Sequence, residues 1–410
     1  MSYVEIPEIL LPNKNIDYSR WSVIACDQFT SQVDYWEDVK EQVNGSKSTL
    51  NLIFPEAYLK NSNKNEAINK INSTMHEYLN SDTFYSVNNF VFVDREIYKG
   101  VHRYGLMVAI DLEAYDYAPK SPLAIKATER VVPERLPIRI EIRKDAPIEL
   151  PHIILLMDDV KNKIFNSIKN DPNNLKKLYD FDLMKNGGNI KGFEVLNSQK
   201  IKEDILSLCS KDHMKDRYNV DEGEILFVVG DGNHSLATAK ECWNNVKKNL
   251  SSKERETHPA RFALCELQNL HDEAILFEPI HRVIFNTDEN FINYLKDNMQ
   301  GEGKLNVFYN GQDYILSVDK DPTKAIAQIQ TAIDNYLSEH KEAEIDYIHG
   351  DEYTLEIANK NNAVAIFMPK INKESLFDYV LKNGVMPRKS FSIGDAENKR
   401  YYFECHKVCK

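Results

Sequence analysis

The sequence has no apolar run approaching the ~20 residues that a membrane helix needs. Its opening stretch, MSYVEIPEILLPNKN, lacks the basic start and apolar core of a secretory leader. A cytoplasmic protein with no membrane association is expected. The six cysteines, Cys26, Cys209, Cys242, Cys265, Cys405 and Cys409, include no CxxC pair, which argues against a cysteine zinc site and a disulfide framework. Reduced thiols follow. Basic residues are outnumbered: 51 Lys and Arg against 63 Asp and Glu leave a net charge of -12, which repels a phosphate backbone. No basic stripe interleaved with aromatics offsets it, so no nucleic-acid partner is expected. Glycine and proline number only 15 each in 410 residues, which excludes a collagen-like chain and gives no case for extensive disorder. No internal repeat stands out, and the absence of any GxxxxGK segment disfavours ordinary P-loop nucleotide hydrolysis.

What remains is a globular composition in a chain too long for one core of typical size. YWEDVKEQVN and NEAINKINSTMHEYLNS have the apolar spacing of helices, whereas NNFVFVDREI and RYGLMVAIDLEAY read as strands around the turn YKGVH. DPNNLKKLYDFDLMKNGGNIKGFEVL reads as a helix, a Gly-rich turn and a strand. EILFVV, SLATAKECWNNVKKNL and ARFALCELQNL give strand, helix, strand. Beyond about residue 286 come a helix, the strand DYILSVD, a helix near 322 to 339 and the strands YTLEIAN and AVAIFMP. The expected class is mixed α/β, with helices flanking mixed sheets. Three lobes are expected at 1–150, 151–285 and, smaller, 286–410.

The stretch VVGDGNHSLATAK sets a polar knot between an apolar strand and a helix. Gly230 and Gly232 permit backbone angles closed to other residues, so the chain can turn sharply and leave successive N–H groups facing outward. An anion could dock there with help from the helix dipole, with Asn233 and Ser235 alongside. Asp231 then becomes a base or metal ligand, and His234 a phosphate donor or proton shuttle. A dinucleotide turn competes poorly, because Ser235 replaces the third glycine and no strand-ending acid follows about 20 residues later. The bland alternative is that Asp231 or Asn233 merely caps the helix.

A second cluster, KATERVVPERLPIRIEIRK, concentrates Lys126, Arg130, Arg135, Arg139, Arg143 and Lys144. Read as a strand, PIRIEIR puts Arg139, Glu141 and Arg143 on one face and three isoleucines on the other. Either an anion clamp or a solvated edge strand explains this. Smaller elements are ACDQFTSQVDYW with Asp27, Gln28, Thr30 and Ser31, PIHRVIF with His281 and Arg282, and GVMPRKSFSIG with Arg388 and Lys389. For the histidine and the PRKS loop, ordinary structural roles compete.

In order, VIACDQFTSQVDYW, FVDRE, KATERVVPERLPIRIEIRKDAPIELPHIILLMDD, VVGDGNHSLATAK, PIHRVIF, YIHGDEYTL and MPRKSFSIG resemble the block series of the domain-of-unknown-function family 1015. Many of its members carry D-G-H-H-R where this chain has Asp231-Gly232-Asn233-His234-Ser235. The motif is also similar to the phosphate-binding turn of the ParB, sulfiredoxin and free serine kinase group, which bind nucleotides without a P-loop. The resemblance implies that the blocks converge on one site. The expected function is binding of a phosphorylated ligand, as ATP or ADP with Mg²⁺, and phosphoryl transfer to, or hydrolysis from, a small polar metabolite such as serine. In that expectation Asp231 is base or metal ligand, His234 assists, Glu129 is the alternative base, and Arg130 and Arg139 pair with phosphate oxygens. The alternative is a non-catalytic nucleotide- or metabolite-binding sensor or scaffold that controls a partner protein.

Overall fold

Alternation along the strands puts apolar groups on both faces of one large sheet. Leu106, Val108 and Ile110 enter one core while Met107 between them enters another, and Phe92 parts from Val91 and Val93 in the same way. Successive strand side chains leave on opposite faces, so such runs need cover on both sides. Helices Val33–Val43 and Lys64–Leu79 cover one face with Trp36, Val39, Ile68 and Met75. Helices Lys163–Lys169, Ser198–Ser207 and Asn233–Val246 cover the other with Phe165, Ile201, Leu236 and Trp243. This is the mixed α/β arrangement.

The computed structural model describes residues 3–30, 32–59, 63–220 and 224–409, except the side chain of Arg135; Ser31 lies outside the described residues. The ten-stranded sheet runs Leu175–Asp182, Asn189–Val195, Val91–Tyr98, Val101–Asp111, Phe262–Asn269, Ile154–Met157, Phe227–Asp231, Ile125–Lys126, Tyr115–Asp116, with Val4–Glu5 also paired to Val101–Asp111. Two compact units divide the chain: Met1–Ile275 with Ala396–Lys410, and Leu276–Asp395. The boundary expected at residue 150 therefore falls inside one sheet, and the segment after residue 395 returns to the first unit. Among the described residues no helix is long and apolar enough to cross a membrane, and all six cysteines are free.

Three segments differ from the sequence expectation. PIRIEIR is not a strand: Leu136–Arg143 is a helix entered through the turn Pro133–Arg135. Leu175–Asp182 is not a helix but an antiparallel partner of Asn189–Val195 across the Asn-Gly-Gly turn. YTLEIAN lies in the helix Asp351–Asn361, which opens after Gly350 with Asp351 and Glu352 in its first turn. Acidic residues there suit the positive end of the helix dipole.

In the second unit, strands Gln312–Val318, Gly303–Tyr309, Val364–Phe367, Ile280–Phe285 and Glu344–His349 form an antiparallel sheet in that order. The helix Pro322–Glu339, capped by Asp321, buries Ile326, Ile329 and Ile333.

Candidate functional site

Two parallel strands pair, Ile125–Lys126 running alongside Phe227 and Val228 at the start of Phe227–Asp231. This places the residues after Lys126, including Glu129 and Arg130, next to the GDGNHS knot. Side chains then tie the two motifs together. Asn233 Oδ1 accepts from Thr128 N at 3.1 Å and its Nδ2 donates to Thr128 Oγ1 at 3.1 Å. Thr128 is fully buried and donates to the Val229 carbonyl at 2.6 Å. His234 Nε2 accepts from Val132 N at 3.1 Å, which fixes the proton of a neutral ring on Nδ1. Thus Asn233 and His234 hold the 128–132 loop in place. Arg130 is exposed beside them.

The two glycines act differently. Gly230 stays within the strand, at a register shift between Val229 and Asp231 against Ile154–Met157, a bulge that re-aims the strand end. Gly232 carries the turn, at φ 83°, and a Cβ there would stand 3.2 Å from Ile153 Cα. Gly232→Ala is expected to destabilise the fold by about 1–2 kcal/mol through the left-handed backbone alone, with the close approach to Ile153 adding to it. Urea unfolding measures the loss.

Among the described residues no side chain caps the Asn233–Val246 helix. Asp231 does not serve as the cap: its Oδ1 accepts from Gly232 N at 2.8 Å, and its Oδ2 pairs with Lys399 Nζ at 3.0 Å. Burial alone would raise its carboxyl, but the Lys399 ammonium reverses that and holds it below its ordinary value. A carboxylate kept ionised in this way is a weak base near neutral pH. Nor do the donors suit Mg²⁺: both Asp231 oxygens are engaged, and among the described residues no group of three His, Cys, Asp or Glu side chains is placed to hold a metal ion.

On the first turn of the same helix Ser235 meets His152, which leads into the Ile154–Met157 strand. Ser235 Oγ lies 2.8 Å from His152 Nε2, and Tyr402 Oη lies 2.8 Å from His152 Nδ1. Tyr402 Oη in turn accepts from Cys26 N at 3.1 Å and donates to Cys26 Sγ at 3.2 Å. Burial pushes the Cys26 thiol up to about 12, so it stays protonated at neutral pH. Asp27 Oδ2 stands 3.9 Å from His152 Nε2.

These groups open on a cavity of about 160 Å³ that Cys26, Asp27, Glu56, Arg139, His152 and Ser235 help to line, with apolar walls from Leu52, Phe54, Met75, Ile138 and Ile142. Arg139 is not a vacant clamp: it pairs with Glu56, as Arg143 pairs with Glu149. Burial lifts the Glu56 carboxyl above its ordinary value, and Arg139 offsets only part of this.

His281, Arg282, Arg388 and Lys389 belong to the second unit, where the first three side chains have structural partners. His281, 2% exposed, meets Asp351 Oδ1 through Nε2 at 2.7 Å and accepts from Met368 N at 3.0 Å. Arg282 is fully buried and donates to the carbonyls of Lys389 and Arg388, at 3.0 and 3.3 Å. It thereby braces a turn in which Lys389 takes φ 58°. Arg388 pairs with Asp334 at 2.8 Å. Sequence reasoning missed His152, Glu56, Tyr402 and Lys399. Of these only His152 carries a local sign, a histidine directly before a buried strand.

The model of the family described as "Protein of unknown function (DUF1015)" matches residues 10–369. No curated protein matches the chain. Solved structures similar to it include a conserved hypothetical protein from Pyrococcus furiosus (12% identity, 74% of this chain and 95% of that one, TM-score 0.38). A free serine kinase in complex with AMP is similar at 11% identity, over 74% and 91% of the two chains, with TM-score 0.39. SbnI from Staphylococcus aureus, truncated at its C-terminus, is similar at 10% identity, over 70% and 82%, with TM-score 0.36.

Proposed function

The chain belongs to the family described as protein of unknown function (DUF1015), and we propose that it binds a phosphorylated small molecule, ATP or ADP among the candidates, at the start of the Asn233–Val246 helix. There it transfers a phosphoryl group to, or hydrolyses it from, a small polar metabolite. The observation that carries this reading is the uncapped helix start beside a cavity that gathers His152, Asp27 and Ser235. The first N–H groups of a helix lack intrahelical partners and lie at the positive end of its dipole, so an anion is their natural complement. The cavity, at about 160 Å³, has room for a small metabolite or one end of a larger ligand. Phosphoryl transfer asks chiefly for positioning and electrostatic stabilisation. Here the helix start positions the anion, and His152 stands within reach of a hydroxyl proton. Lys399 and Asp231 lend the knot a fixed charge pair. No step runs through a metal.

A thermal-shift screen tests this with ATP, ADP, AMP and phosphorylated metabolites against their unphosphorylated counterparts, with and without Mg²⁺. A ligand at 100 times its Kd stabilises the folded state by about 2.7 kcal/mol, an easily read rise in Tm. Phosphorylated compounds alone should give it. Equal response to the unphosphorylated counterparts, or none to any phosphorylated compound, would sink the reading.

A further inference from the structure

The geometry points to Ser235 as a nucleophile that takes the phosphoryl group covalently, with His152 as its base. This rests on the reading of the cavity as a phosphoryl-transfer site and adds a two-step course to it. Three observations carry it. Ser235 Oγ is 2.8 Å from His152 Nε2, within reach for direct proton transfer. Tyr402, anchored by Cys26 N and itself 2% exposed, holds the opposite ring nitrogen at 2.8 Å. With Nδ1–H donating to the Tyr402 oxygen, Nε2 is the atom that accepts the serine proton, and the Asp27 carboxylate 3.9 Å away faces the charge the ring then acquires. Nucleophile, base and orienting group are thus aligned along one edge of the cavity, on the helix turn whose N–H groups would face the incoming phosphate.

In the first half-reaction Ser235 Oγ attacks the terminal phosphorus of a nucleoside di- or triphosphate. The Oγ–P bond forms, and the bond from that phosphorus to its bridging oxygen breaks. The electron pair leaves with the shortened nucleotide, and the serine proton passes to His152 Nε2 and on to the leaving phosphate. In the second, the hydroxyl of the acceptor, a small alcohol or water, attacks the phosphoserine. Its proton goes to His152 Nε2 and then to the departing Ser235 Oγ, which restores the enzyme.

The test uses the full chain with ATP and ADP labelled on the terminal phosphate, without acceptor. Acid quenching followed by peptide mass analysis should find one phosphoryl group on Ser235. Isotopic ADP should exchange into ATP, or AMP into ADP. Ser235→Ala should lose label and exchange by on the order of 1,000-fold, while calorimetry shows nucleotide Kd within about threefold of the parent. His152→Ala, checked for an unchanged Tm, should lose the label likewise. Exchange or turnover that survives Ser235→Ala overturns the covalent course, as does nucleotide binding by the parent with neither label nor exchange. Failure of the parent to bind ATP or ADP overturns the nucleotide-fed covalent course, whereas failure to respond to any phosphorylated compound in the thermal-shift screen overturns the underlying reading, so the two failures are distinguishable.

Discussion

Replacing Arg400 by methionine is expected to destabilise the protein by about 5 kcal/mol and to lower the Tm of the unit that contains it by roughly 10 °C. Arg400 is 3% exposed and sits between two carboxylates that are themselves buried, Glu266 and Glu404, pairing with both. Its Nε also donates to the Pro151 carbonyl at 2.8 Å, next to His152. Methionine fills comparable volume, so the loss is chiefly electrostatic: it leaves two anions in a low-dielectric interior with one cation too few, and the Pro151 carbonyl without its donor. Glu266 shows the dependence. Burial would raise its carboxyl, yet Arg400 and Arg103 hold it below the ordinary value. Urea unfolding of R400M, and of R400M with both glutamates changed to glutamine, provides the check. The triple variant should recover much of the loss. A single variant within 1 kcal/mol of the parent would show that the charges are compensated elsewhere.

The second large effect concerns Asp231. If it were the catalytic base, Asp231→Asn would remove turnover and leave stability alone. The Lys399 pair leads to a different expectation: a loss of about 2–3 kcal/mol, somewhat below the cost of breaking a fully buried pair because the Asp231 side chain retains 27% exposure. Lys399→Met should cost a similar amount. The double variant should fall short of the sum, because the second change removes a group already left without its counter-charge. The pH dependence has a definite sign. The folded-state carboxyl lies below the unfolded value, so its contribution is fully present above about pH 4 and fades as pH falls through the folded value. The Asn variant should lose that acid-sensitive component. Additive single-variant losses, or an unchanged acid limb in Asp231→Asn, would contradict the ion-pair account.

Most long periodic segments were legible because their side chains had one environment to satisfy. The misreadings arose where two demands overlapped. Leu175, Leu178 and Tyr179 have helical spacing because a bulge between Lys177 and Tyr179 interrupts the alternation of an edge strand. In Leu136–Arg143 the run Ile-Arg-Ile-Glu-Ile-Arg alternates, yet it is a helix with two apolar sides. Leu136 and Ile140 pack with Ala237 while Ile138 and Ile142 line the cavity, each pair four residues apart. The knot's Asp231, Ser235 and distant Asp27 could be picked out from local chemistry. Their partners could not: Lys399 and Tyr402 lie more than 160 residues beyond the knot and reach it in the folded first unit, Lys399 directly and Tyr402 through His152. Arg139 could be read as a clamp only because nothing near it in sequence announces Glu56.

The return of residues 396–409 to the first unit sets an order on biosynthesis. Arg95 donates to the carbonyls of Glu397 and Lys399 at 3.0 and 2.6 Å, Arg103 to that of Asn398 at 2.7 Å, and Tyr402 N to that of Val23 at 2.8 Å. While a ribosome translates Leu276–Asp395, on the order of 10 s at ordinary elongation rates, these acceptors and donors do not yet have each other. Glu266 likewise has no Arg400. The first unit to be translated is therefore the last to be finished, and its nascent form carries charged groups meant for burial together with open apolar strands. Within the mature protein, the same late segment delivers Tyr402 and Lys399, so the candidate site is assembled only when synthesis has passed through it.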